Sequence, residues 1–249
     1  MAKHSSWLEY IWDFEGEETY FGVELSLYKT APDPEAALLV YFCFQTLDEH
    51  ELTASDIRRA EEIIQRASRR ANVIPAGYIQ AESLRQYYFY TSDKEQYDIL
   101  KEVASKEKRL ICRVGGKREE NWATYFNLLY PDEDKYQSVK NREQVSKLRA
   151  IGDNTDAARR INLHLGFTTE QERIVFEETA RRAGFAIGNP EFHGENDYPS
   201  GAVIYRISSL RRREIDAVTV RALRLARKNG GRLLYWDCNI VPRSVAKRL

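Results

Sequence analysis

The stretch KNGGRLLYWDCNIVP, residues 228–242, sets a tryptophan, an aspartate and a cysteine side by side just after a pair of glycines. Tyr235-Trp236-Asp237-Cys238 is either a chemical site or the last strand of a sheet. A strand sends successive side chains to opposite faces. Leu234, Trp236, Cys238 and Ile240 then share one face, and Tyr235, Asp237 and Asn239 share the other. The first set is apolar and reads as core, with Asp237 as the outward exception, so the stretch reads as structural.

The residues before it repeat a simple order. Ile215, Val218, Ala222 and Leu225 recur at helical spacing, predicting a helix over 213–228 that ends at Gly230. AVIYRIS (202–208) reads as a strand, joined through the turn-rich HGENDYPSG (193–201) to FAIGNPEF (185–192). Thr169 and Glu172 form a capping box opening a helix with Val175, Phe176, Ala180 and Ala183, closed by Gly184. RINLHLGF (160–167) alternates as a half-buried strand. The order is βαββαβ, the ferredoxin-like plan: a four-stranded antiparallel sheet with both helices on one side and the other face open.

Residues 36–115 give the same order, so the fold expected is α+β with two such domains. The first is extended by an N-terminal hairpin of 6–14 and 19–28 around EGEE, with Pro32 and Pro34 ending its second strand. A strand over 36–46 precedes a helix at 55–71 that aligns Ile57, Ala60, Ile64, Ala67 and Ala71. Strands at 73–81 and 84–91 follow. Ser92-x-x-Glu95 is expected to cap a helix carrying Tyr97, Leu100 and Ala104; the strand 109–114 should end at Gly115-Gly116, and WATYFNLLY (122–130) reads as one more strand. Residues 131–157 are polar, with a short helix over 139–149. The domain boundary is placed there, giving 1–137 and 138–249.

Composition narrows the function. Residues 1–140 hold 18 basic and 25 acidic side chains and residues 141–249 hold 20 and 13, so halves of charge −7 and +7 cancel. Such halves have different partners or attract each other. The N-terminus lacks the apolar run of a signal peptide, and the longest apolar run, AALLVYFCF (36–44), is too short for a membrane span. A soluble, cytoplasmic protein without membrane contact is expected. Cys43, Cys112 and Cys238 lie far apart in apolar runs and read as buried free thiols, not as metal ligands. VGGKRE (114–119) lacks the spacing of a phosphate-wrapping loop. His50-Glu51 has alanine at position 54 where a zincin places its second histidine, and Asp13, Glu15, Glu17 and Glu18 read as a solvated turn. No metal or cofactor is expected.

The second half resembles the ribonuclease E regulator B family. The features are Gly152-Asp153, an arginine at Arg159 or Arg160, His164, Phe167 before a threonine-capped helix, Glu214-Ile215-Asp216, and Gly230-Gly231 before Trp236-Asp237. Leu233-Leu234-Tyr235 stands where that family usually has Tyr-Asp-Gly. The first half resembles the domain of unknown function 695 family in its tryptophan-containing start, the helix 55–71 and YYFYTSD (87–93). The resemblance implies a ferredoxin-like, non-catalytic regulator that binds a protein partner, a ribonuclease.

Three readings of the second half stay in view. Alternation puts Arg160, Asn162 and His164 on the open face with Asp237, and places Val203, Tyr205 and Ile207 inward with Arg206 and Ser208 outward. A docking surface is favoured, made of Arg160, His164, Arg206, Tyr235 and Asp237 with Arg221, Arg224 and Lys228 of the last helix. RNA binding is the alternative, because Arg211, Arg212, Arg213, Arg221, Arg224, Lys228, Arg232, Arg243, Lys247 and Arg248 make a basic stripe. A hydrolase built on Ser208, His164 and Asp237 ranks last, since a mid-strand serine lacks an oxyanion site. Self-association into a homodimer is left open.

Overall fold

A computed structural model describes residues 6–47, 50–188, 192–195 and 197–243. Lys247 and Arg248 of the basic stripe, and part of the strand expected over 185–192, lie outside them. The chain divides into two compact units, residues 1–132 and 133–249. Both are α+β with antiparallel sheets. No helix among the described residues is long and apolar enough to cross a membrane.

In the first unit, β1 (Trp7–Phe14) and β2 (Glu17–Glu24) form a hairpin whose two loop residues, Glu15 and Gly16, both have positive φ. That geometry matches the twist of the strands it joins. After β3 (Leu38–Gln45) come α1 (Ala54–Arg70), β4 (Ile74–Gln80), β5 (Leu84–Thr91), α2 (Lys94–Ser105) and β6 (Ile111–Arg118). The sheet order β1-β2-β4-β5-β3-β6 is the 4-1-3-2 order of the ferredoxin-like plan with the hairpin added beside β4. Val40, Phe42, Phe44, Tyr87 and Phe89 pack against Ala60, Ile63 and Ala67 of α1 and Leu100, Val103 and Ala104 of α2.

Four expectations fail here for identifiable reasons. The second hairpin strand, expected over 19–28, ends at Glu24, whose carboxylate accepts from the Ser26 amide and caps a 3-10 turn over Leu25–Lys29. The cap of α2 is Asp93, whose carboxylate accepts from the Gln96 amide, while the Ser92 hydroxyl donates to Asp93; a carboxylate also suits the positive end of the helix. β6 runs through Gly115-Gly116 instead of ending there. Gly115 lies opposite Tyr41, and a Cβ would sit 2.2 Å from the tyrosine oxygen, so the glycine seats a cross-strand ring.

Residues 122–130 are not a strand. They form a π-helical turn (Thr124–Leu129) that straps the sheet face opposite α1 and α2. Trp122 stacks on Tyr90 at 3.8 Å and donates to the Ala36 carbonyl; Tyr125 donates to the Glu24 carbonyl, and Tyr10 donates to that of Leu129. Buried Glu119 accepts from Tyr90 and from the Thr124 amide. A short apolar run cannot be assigned to strand or helix by periodicity alone.

The second unit opens with α3 (Glu133–Ala150), longer than the helix expected over 139–149. β7 (Arg159–Phe167), α4 (Glu170–Arg182), β8 (Ala186–Ile187), β9 (Ser200–Ser208), α5 (Arg212–Lys228) and β10 (Gly231–Cys238) follow, in sheet order β10-β7-β9-β8. This is again 4-1-3-2. The Thr169/Glu172 capping box forms as expected. Ile161, Leu163, Leu165 and Phe167 face the helices with Ala202, Ile204, Leu233 and Trp236. A bulge between Leu233 and Tyr235 shifts the register, so Leu233 takes the inward place expected of Leu234.

α3 is held by an unusual buried polar cluster. The Asn141 amide nitrogen donates to Asp216 and Thr219, both at 2.7 Å, and its oxygen accepts from Gln137 and from the Trp236 indole, both at 2.9 Å. Ser138 donates to the other Asp216 oxygen at 2.6 Å. Asn141, Ser138 and Thr219 are fully buried, and every hydrogen-bonding capacity of the Asn141 amide is used. Asn141→Ala should therefore destabilise the second unit by about 3 kcal/mol, because several buried partners lose their mate at once. Gln137→Ala, which removes one bond, should cost about 1 kcal/mol. Urea unfolding of the full chain followed by tryptophan fluorescence distinguishes the two; equal costs would mean that the cluster does not act as a unit.

Candidate functional site

In the second unit α3, α4 and α5 pack on one side of the sheet, and the opposite face carries a chain of polar groups. Arg160 Nε donates to Asn162 at 2.6 Å, Asn162 Nδ2 donates to Asp237 at 2.7 Å, and His164 Nε2 lies 2.6 Å from the other Asp237 oxygen. β7 supplies the first, second and fourth members at alternate positions, and β10 supplies Asp237 opposite Asn162. The Arg160 guanidinium lies 3.7 Å over the ring of Tyr205. His164 is stacked on Tyr235 at 4.2 Å and meets Phe192 edge-on at 4.8 Å. Burial first, and then the Asp237 charge, pushes the Tyr235 hydroxyl above its ordinary pKa.

The pairing of β7 with β9 corrects the expected facing of β9. His164 lies opposite Val203 and Asn162 opposite Tyr205, so Val203, Tyr205 and Ile207 share the open face. Ile207 is 62% exposed there and Tyr235 44%. Arg206 falls on the other parity, opposite buried Ile161, and its guanidinium points toward the ring of Phe185; it is not part of the open-face cluster. Alternation could not decide this strand, because Ala202-Val203-Ile204 is apolar at three consecutive positions.

Ser208 lies opposite Arg159, at the far end of β7 from His164. His164 Nε2 faces a carboxylate, while Nδ1 is buried with no hydrogen-bond partner among the described residues. A nucleophile–base–acid relay needs a hydroxyl or thiol on the second nitrogen. The Ser208/His164/Asp237 arrangement is therefore not assembled.

Two arginines of the basic stripe, Arg211 and Arg224, and the neighbouring Arg227 are paired with carboxylates within the unit. Arg224 pairs with Asp134 at 2.6 Å, Arg227 with Glu133 at 3.1 Å and Arg211 with Asp156 at 2.9 Å. Arg221 and Lys228 are exposed on α5. Among the described residues, no group of His, Cys, Asp and Glu could hold a metal ion. Phe192, Tyr205 and Ile207 belong to the face without having been expected there.

Residues 5–130 match the Family of unknown function (DUF695). The chain belongs to that family. Residues 138–238 match Regulator of ribonuclease activity B, so the DUF695 chain carries a regulator B domain as its second unit. No curated protein sequence matches the chain. The positions that carry the regulator B resemblance divide by role. Asp216 and Trp236 belong to the Asn141 cluster. Asp153 and Arg159, whose side chains are 0% and 3% exposed, form an ion pair at 2.7 Å that fixes the end of α3 to the start of β7. His164 and Asp237 lie on the open face.

Cys43, Cys112 and Cys238 are free thiols. Burial raises all three, and pushes Cys112 up to about 12, with Glu107 adding. The thiolate is the reactive form. Iodoacetamide at pH 8 should alkylate the three cysteines at least about tenfold more slowly in the folded chain than in urea, as followed by mass spectrometry. Fast labelling at Cys238 would reopen Asp237-Cys238 as a chemical pair.

Proposed function

We propose that the chain is a non-catalytic regulator that acts by protein contact, its regulator B domain docking on a ribonuclease through the open sheet face. The observation that carries this reading is the regulator B match over residues 138–238 together with a face on which Tyr235 and Ile207 stand exposed around a hydrogen-bonded polar chain. Aromatic anchors beside arginine are the composition that carries binding energy in protein interfaces. Arg160 over Tyr205 and Tyr235 over His164 provide it, and both side chains are held in place before a partner arrives. Holding them lowers the ordering cost of association.

The internal pairing of Arg224, Arg227 and Arg211 favours a protein partner over RNA. Phosphate binding needs arginines whose charge is available, and these three already face carboxylates. Arg221 and Lys228 contribute a rim charge that speeds encounter more than it strengthens the complex.

Binding of the purified chain to ribonuclease E, measured by calorimetry, tests the proposal. Tyr235→Ala should weaken binding by about 2 kcal/mol or more, as expected for a central anchor. Arg221→Glu should slow association and change affinity by less than about 1 kcal/mol. Binding of single-stranded RNA that falls steeply with salt, with no binding of the enzyme, would replace the protein partner with a nucleic acid.

A further inference from the structure

The first unit holds a cavity of about 450 Å³ between α1 and the strands β1, β4 and β5. Small-molecule sites run from about 300 to 1,000 Å³. Its walls are aromatic and aliphatic: Trp7, Tyr78, Tyr87, Phe89, Ile64 and Pro75. The hairpin extends the sheet past β4, and Trp7 on β1 stands 6.3 Å from Tyr78 as the outer wall. Gly22 makes this possible. A Cβ there would lie 2.2 Å from Tyr78 Cε1, so only a glycine lets the ring lie across β2.

Arg85 lines the same cavity and is 7% exposed. Its guanidinium carbon sits 4.0 Å over the Tyr78 ring. Nε donates to the Tyr87 hydroxyl at 2.6 Å, one terminal nitrogen donates to Glu61 at 3.1 Å, and the other donates to Gln80. A guanidinium has five N–H donors in a fixed plane, so these three bonds leave two for an acceptor.

Charge selects the class of ligand. The charged side chains lining the cavity are Glu9, Glu61, Arg69 and Arg85, two of each sign. An entering carboxylate would meet Glu9 and Glu61, and an entering ammonium would meet Arg69 and Arg85. Either would also give up the hydration of a full charge to mostly apolar walls, a far larger cost than a neutral ligand incurs. We propose that this cavity binds an uncharged, flat aromatic molecule bearing a hydrogen-bond acceptor, with its ring against Trp7 and Tyr78 and its acceptor on Arg85. The site is independent of the docking face of the regulator B domain.

Three probes sharing one ring system test it: 2-naphthamide, 2-naphthoate and 2-naphthylmethylamine, neutral, anionic and cationic at pH 7. Each is titrated into the ¹⁵N-labelled full chain while the Trp7 indole N–H and the Gly77 amide are followed by NMR. The amide should give saturable shifts and bind about tenfold tighter than either charged analogue. Trp7 is 38% exposed, so Trp7→Ala should weaken amide binding about fivefold or more without changing the melting temperature. Ser68→Trp, which fills the cavity from α1, should abolish binding and serves if Trp7→Ala does not fold. No saturable shift with the amide, equal or tighter binding of a charged analogue, or unchanged binding by both variants would overturn the proposal.

Discussion

The second unit is organised around one buried amide. Asn141 joins α3 to α5 through Asp216 and Thr219, and to the last strand through the indole of Trp236. Each partner is buried, so each would cost free energy if left without its mate. The indole must point toward the helices to reach Asn141. Once Trp236 points inward, the pleat sends Tyr235 and Asp237 the other way, where they meet His164 and Asn162. The internal cluster thereby sets the parity of the exposed one. Gln144 on α3 reinforces this by donating to the Trp236 carbonyl on the outer edge of β10. An edge strand with a satisfied carbonyl is also a weaker template for unwanted pairing.

The two units share a strand order but treat the second face of the sheet differently. In the first, the segment from Glu119 to Tyr130 lies across that face, and Trp122, Tyr125 and Tyr10 each have a backbone carbonyl as partner. Stacking of Trp122 on Tyr90 gives that strap its apolar anchor. In the second, the loop before β9 lays Phe192 against His164, and the same geometric surface leaves Ile207 and Tyr235 exposed. The proposed functional surfaces differ accordingly. The first unit keeps a cavity on its helix side, at the join with its added hairpin, and the second keeps an open sheet.

The sequence carried the element order well because that order rests on local signals. Capping boxes at Thr169, helical spacing from Ile215 to Leu225 and the positive-φ glycines Gly184 and Gly230 are all decided within a few residues. Strand parity was legible only where polar and apolar residues alternate. β7 alternates, and His164 and Asn162 were placed correctly from it. β9 carries three apolar residues in a row, Ala202-Val203-Ile204, and its facing was fixed by pairing with β7, a long-range fact. The bulge at Leu234 and the turn at Thr124–Leu129 were illegible for the same reason: both answer to partners distant in the chain. The arginines show the limit for charge. Composition gave the second half a balance of +7, but which arginines are compensated depends on α3 lying beside α5.

That compensation bears on why the open face, and not the basic helix, carries the proposed docking. Arg224 and Arg227 are tied to Asp134 and Glu133 in the first turn of α3. A partner that engaged them would have to displace those carboxylates, and the gain would be the difference between two similar pairs. Tyr235 and Ile207 face no such competitor: covering them removes apolar surface from water, which is favourable in proportion to its area. Asp237, with half its side chain exposed and one oxygen on His164, is held where a donor from a partner can reach it. Apolar gain with a fixed acceptor beside it gives both affinity and register, while a helix with Arg224 and Arg227 already paired offers neither to the same degree.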